Sequence, residues 1–338
     1  MKKVLNILLA ILLIIACSFS VVACSNPNQK NAKSGLVYTK VDGHYEIVKF
    51  VDDGKTLDSE GTLTIAIEGV TEGIKIRKNA FVGNSTIKKI IVSSSVSEIE
   101  KGAFAKMNAL EVLVVPFIGR FANSDTYYKE SASATASEKK AVNSERTIAH
   151  FFGDEIYDNG VSQTISSGKD VVTCYMPSSF NNVVVNASST YSIPWCAFSG
   201  ATKLEKISLL GDIDAIGENA FENTRITEIK IPATVKTIYK NAFLNSSVKT
   251  VNFANGASVE LLQKAFFGCN KLNYLGLEGS TANSFIDLTV FSDIEEKALD
   301  TQNGANESVV KTYRVTNPKN FDLSSIFGKT AYQQETAN

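Results

Sequence analysis

Few residues in this 338-residue chain could do chemistry. It holds two histidines, His44 and His150, and five cysteines. Cys174, Cys196 and Cys269 could offer thiolates to a metal, but no C-x-x-C spacing places two of them on one tetrahedral ion. In an exported chain Cys174 and Cys196 could instead pair as a disulfide. Cys269 falls at an inward position of a repeat and reads as a buried free thiol. Asp212-Ile213-Asp214 has the first two carboxylates of a calcium loop, but the remaining ligands are missing and Ile213 reads as core. Asn84, Asn186, Asn245 and Asn306 each open an N-x-S/T triplet, for which turn chemistry is sufficient reason. No phosphate loop, G-x-S-x-G elbow or H-E-x-x-H pair occurs. No catalytic residue, cofactor or metal site is therefore expected, and binding is favoured over catalysis. A weaker alternative places an enzyme in the 117–194 insertion, where His150 and Asp154 would be the residues to replace in a test.

The N-terminus offers a different chemistry. Lys2 and Lys3 precede an apolar run from Val4 to Ala16, interrupted only by Asn6, and a shorter segment ends at Ala23 before Cys24. A positive start, an apolar middle and a small residue before the cut describe an export signal. Val21-Val22-Ala23-Cys24 resembles the lipobox of bacterial lipoproteins, in which the cysteine is diacylated and becomes the first mature residue. Ile14-Ile15-Ala16-Cys17 fits as well, so Cys17 is the alternative lipid site. Cys24 is preferred because a polar tether, Ser25 to Asn31, follows it. An uncleaved membrane helix from Val4 to Ala23 is the competing reading. Either way the rest of the chain is expected outside the cytoplasm, held at a bacterial membrane, and two acyl chains would make the attachment stable.

The chain as a whole has 44% hydrophobic residues, 20% charged residues and a net charge of -1, an ordinary globular balance. It gives no electrostatic footprint for nucleic acid. What organises it is a repeat. Ala-Phe pairs recur at 80–81, 103–104, 197–198, 220–221, 242–243 and 265–266, with steps of 22 or 23 inside each group. Ahead of three of these pairs the apolar residues fall at identical offsets, as in Leu204-Glu205-Lys206-Ile207-Ser208-Leu209, then Ile213 and Ile216. Such a period marks a solenoid of stacked coils. Alternation in the x-Ile-x-Leu part predicts a half-buried strand, and Pro116 and Pro232 end two such strands. Ala permits close backbone approach, and Phe fills the space between coils.

These residues resemble the BspA-like leucine-rich repeat family, whose pattern reads much like Ala-Phe-x-x-Cys-x-x-Leu-x-x-Ile-x-Ile-Pro. Ala265 to Leu272 follows it through Cys269, while Asn84, Met107, Ala201, Thr224 and Ser246 stand at the Cys position of other coils. The resemblance implies a β-rich solenoid with a parallel sheet on one face and short turns or helices on the other. It also implies a surface lipoprotein that binds a macromolecule, in adhesion to host or neighbouring cells. A cell-envelope structural or assembly role with self components is the alternative.

The expected organisation is a signal at 1–23, a tether at 24–35 and an N-terminal hairpin cap at 36–69, turned at Asp42-Gly43. Repeats follow at 70–118 and 191–280. Between them, 119–190 is an insertion, with degenerate coils as the alternative, and 281–338 forms a C-terminal cap with a last strand at Val309 to Val315. Strand positions that alternate with the core must face outward. They form a candidate binding face of Lys89, Ile91, Val112, Val114, Lys206 and Ser208, continued by Glu228, Lys230, Thr250, Asn252, Tyr274 and Glu278. The expected ligand is a protein or glycan.

Overall fold

The structure is a computed structural model that describes residues 29–30, 34–54, 56–122, 144–167, 170–269, 271–272 and 274–276. The leader with Cys17 and Cys24, Glu278 and the segment Val309 to Val315 lie outside the described residues. Elements from the first half are β1 (Gln29–Lys30), β2 (Leu36–Val41), β3 (His44–Phe50), β4 (Thr62–Ile65), β5 (Ile74–Ile76), β6 (Lys89–Val92), β7 (Val96–Ile99), β8 (Val112–Val115) and α1 (Ala149–Phe152). Then come β9 (Gly160–Ser167), β10 (Asp170–Pro177), β11 (Asn182–Ile193), β12 (Lys206–Ile216), β13 (Glu228–Ile231), β14 (Thr237–Ile238), β15 (Thr250–Phe253), β16 (Glu260–Leu261) and β17 (Tyr274–Gly276).

The chain winds as a β-solenoid, because each unit is too small to bury its own apolar side. Each coil supplies a strand to a front face, crosses a corner, adds a short strand to a side face and returns through a turn. β4, β6, β8, β11 and β12 lie parallel in that order across the front. β11 and β12 are long enough to continue around the corner, and β14 and β16 extend the sheet from β12 along the side. At the bend Gly211 has φ 79°, and a Cβ there would collide with the Ala187 carbonyl oxygen. β2 and β3 form the expected antiparallel hairpin, with Asp42 and Gly43 both at positive φ, and β3 starts the side sheet by pairing parallel with β5.

The core is one cluster running the length of the stack. Alternation is clean: β13 and β6 bury every second residue. The pairs Val96/Ile99, Ile213/Ile216 and Val235/Ile238 are fully buried on the side face. Phe rings stack coil upon coil: Phe198–Phe221 at 5.3 Å, Phe221–Phe243 at 4.8 Å and Phe243–Phe266 at 5.0 Å between centroids. Their turns form a third ladder, in which the Phe221 amide donates to the Ala242 carbonyl at 2.7 Å and the Phe243 amide to Ala265 at 2.7 Å.

Between the two repeat blocks the front sheet has no gap. Val183 of β11 pairs directly with Leu113 of β8. At the back, α1 takes the place of a turn: the Phe104 amide donates to the Phe151 carbonyl at 2.9 Å, and the Ile148 amide to Ala197 at 2.9 Å. β9 and β10 form an antiparallel hairpin before β11 resumes the solenoid. Among the described residues no helix is long and apolar enough to cross a membrane.

Candidate binding face

The outward positions of the front strands line up in two rows. Thr62, Lys89, Val112, Asn182 and Lys206 are successive partners in one. Thr64, Ile91, Val114, Val184 and Ser208 are successive partners in the other. Ile91, Val114 and Val184 are half-buried and make an apolar centre, with Lys89 half-buried and Lys206 exposed beside them. The ladder of hydrogen bonds does not run on to Glu228, contrary to the expectation of one continuous row. β13, β15 and β17 form a separate three-stranded sheet, in which Glu228 partners Thr250 and Lys230 partners Asn252. Among the described pairings, β12 extends sideways to β14 instead of to β13, because its second half has already turned the corner. Tyr274 keeps its place by pairing with Thr250.

Thr62, Thr64, Asn182 and Val184 were not expected on this face. Thr62–Ile65 fell within the reading of a cap, and 182–185 within the insertion. The alternating Asn182-Val183-Val184-Val185 run is the signal that could have placed β11.

The side face carries charge instead. The Lys75 Nζ lies 3.2 Å from Glu98 and 3.0 Å from Glu100, and Arg120 reaches Glu98 at 2.9 Å and Glu145 at 2.8 Å. Burial opposes the Lys75 charge, but the hydrogen bonds its ammonium donates to Glu100 and Glu98 outweigh it and raise its pKa above the ordinary lysine value. These pairs bind successive coils together at the surface, where each contributes modestly.

His150 is buried, and its Nε2 donates to the Ile99 carbonyl at 2.9 Å. Burial pushes its pKa down to about 4. The Asp154 carboxylate faces Lys101 Nζ at 2.8 Å, which holds its pKa below the usual range. Asp214 accepts from Ser192 of the preceding coil at 2.6 Å. Cys174, Cys196 and Cys269 are buried thiols, and Cys174 and Cys196 do not form the disulfide they could have made. Burial raises the Cys174 thiol to about 12 and the Cys269 thiol to about 11, so neither is a thiolate at neutral pH. The Cys269 Sγ donates to the Phe243 carbonyl of the preceding coil at 2.9 Å, whereas Thr224 Oγ1, at the same repeat position, donates within its own turn to the Phe221 carbonyl at 2.8 Å. Among the described residues no three His, Cys, Asp or Glu side chains are grouped to hold a metal.

The BspA type Leucine rich repeat region matches in six copies, over residues 64–133 and 172–297. The chain belongs to this family. The BspA-type repeat accounts for the Ala-Phe period, the parallel front sheet and the returning turns described above. No curated protein matches the chain. Among solved structures it is similar to a leucine-rich repeat protein of T. pallidum, at 14% identity and a TM-score of 0.33, covering 75% of this chain and 85% of that one. A leucine-rich repeat protein from Bacteroides ovatus ATCC 8483 is 16% identical with a TM-score of 0.23, covering 73% and 70%. A leucine rich cell surface protein from Faecalibacterium prausnitzii A2-165 is 12% identical with a TM-score of 0.19, covering 75% and 89%.

Proposed function

We propose that this BspA-type solenoid is displayed on a bacterial cell surface, anchored through diacylated Cys24, and binds a protein partner on its front face in adhesion to host or neighbouring cells. The observation that carries the reading is the apolar centre Ile91–Val114–Val184, half-buried and flanked by Thr64, Lys89, Lys206 and Ser208 on rigid strands. An apolar centre with a polar surround is the usual anatomy of a non-obligate interface. Extended sheet faces of solenoids serve this purpose in general.

The test is biolayer interferometry of the mature protein against a panel of purified extracellular-matrix proteins. Val114→Lys/Val184→Lys places two charges at the centre of the face. It should weaken any saturable interaction by at least about tenfold, the effect of roughly 1.4 kcal/mol. No saturable binding, or binding unaffected by the double variant, would refute the reading. Crosslinking in intact cells that recovers only the cell's own envelope proteins would replace adhesion with an assembly role.

A further inference from the structure

Where the insertion leaves the solenoid, the corner between the two faces is not filled in the usual way. In the coil before it, Ser93 to Ser95 cross directly from β6 to β7. After β8 the chain drops inward instead: Pro116, Phe117 and Ile118 are all buried. The Tyr191 hydroxyl of the following sheet coil accepts from the Ile118 amide at 2.8 Å and donates to its carbonyl at 3.3 Å, which pins this inward run. A recess of about 440 Å³ is left above it.

The lining has a definite chemistry. Ser94, Ser95 and Ser97 face it from one coil and Ser188 and Ser189 from another, while Pro116, Phe117 and Tyr191 supply its buried end. Glu72, at its exposed edge, is the one charged lining residue. An anionic ligand would find no counter-charge there, and a metal ion only one carboxylate. Ser95 and Ser97 already bond Ser93 and the Ile74 carbonyl, but an apolar ligand would strip water from the exposed hydroxyls of Ser94, Ser188 and Ser189 without replacing their hydrogen bonds, at a cost for each. A neutral polyhydroxylated ligand suits all of these surfaces. Serine hydroxyls both donate and accept, Glu72 accepts, and the closed end of the recess at Pro116, Phe117 and Tyr191 is largely apolar. The volume lies within the roughly 300–1,000 Å³ of ordinary small-ligand sites.

We propose that this recess is a binding site for a neutral sugar of one or two rings, separate from the front face and independent of the partner bound there. Ligand-observed NMR and calorimetry on the mature protein would use glucose, galactose, mannose, N-acetylglucosamine, lactose and maltose, at up to about 10 mM. Glucuronic and sialic acids serve as charged comparisons. At least one neutral sugar should bind saturably. Ser94→Trp and Ser189→Trp, both at exposed positions, fill the recess and should weaken that binding by at least about tenfold with an unchanged melting temperature. The milder Ser188→Ala/Ser189→Ala should cost about three- to tenfold through lost hydrogen bonds. Val114→Lys/Val184→Lys should leave sugar binding intact, so the two sites succeed or fail separately. No saturable neutral sugar, a preference for the charged sugars, or binding retained in both Trp variants would overturn the proposal.

Discussion

Replacing Phe221 with alanine is the most direct test of how the coils are held together. The ring is fully buried and stacked on both sides, 15° from parallel with Phe198 and 8° from parallel with Phe243. A buried Phe→Ala change costs roughly 3–5 kcal/mol, more where the site cannot collapse. Here the neighbouring rings are fixed by their own turn ladders, so the cavity persists and both ring contacts are lost. We expect about 4–5 kcal/mol, a large share of the roughly 5–15 kcal/mol that stabilises a domain. Phe50→Ala is the control: that ring is half-buried and contacts Phe81 at 6.1 Å, so about 1–2 kcal/mol is expected. Urea unfolding would be followed by far-UV circular dichroism and by emission of the single tryptophan, Trp195, itself buried in the coil before Phe221. A loss below about 1.5 kcal/mol for Phe221→Ala, or no more than for Phe50→Ala, would refute the reasoning that the ring stack carries the inter-coil stability.

His150 makes stability depend on pH. Its folded pKa is about 4 against an ordinary 6.5, so the unfolded chain takes up the proton first as pH falls. Its contribution is complete above pH 6.5 and is lost progressively down to pH 4, by about 3 kcal/mol in all; His150→Gln should flatten that part of a pH series of urea midpoints. Lys264 sits at φ 60°, a left-handed conformation that costs a lysine more than an asparagine, so Lys264→Asn should raise stability by about 0.5–1 kcal/mol in the same assay. Cys24→Ala should abolish acylation and release the protein from the membrane fraction, as read by palmitate labelling. Labelling that persists would move the lipid site to Cys17.

The solenoid was legible because its period is a local signal: the same Ala-Phe pair and the same Val/Ile pair mark every regular coil. The backbone that makes those pairs work was not. The residue before each Ala-Phe pair, namely Asn79, Gly102, Cys196, Asn219, Asn241 and Lys264, has a positive φ. So does the residue two after each Phe, as at Gly83, Lys106, Gly200, Asn223, Asn245 and Gly268. Asn and Gly predominate at these places because they tolerate that conformation, but Cys and Lys substitutions blur the pattern in a single sequence. The insertion hid more. α1 fills a turn without an Ala-Phe pair, and the pairing of β11 with β8 is non-local, so no spacing announces it. The outward rows were found where alternation was plain, at Lys89–Val92 and Lys206–Leu209. They were missed at Thr62–Ile65, where the period had not yet begun.

The direct partnership of Leu113 with Val183, 70 residues apart, has a kinetic consequence. Closing a loop about three times the usual coil length adds only about 1 kcal/mol of entropy, so the solenoid has one place where added chain is nearly free. That place is also where its most distant contacts lie. Pairings within each block span one coil, whereas the seam between β8 and β11 must wait for a much longer search. Each block should therefore gain structure first and the seam should close last. In stopped-flow refolding, circular dichroism would then lead the burial of Trp195, which lies just beyond the seam, and simultaneous phases would count against this order.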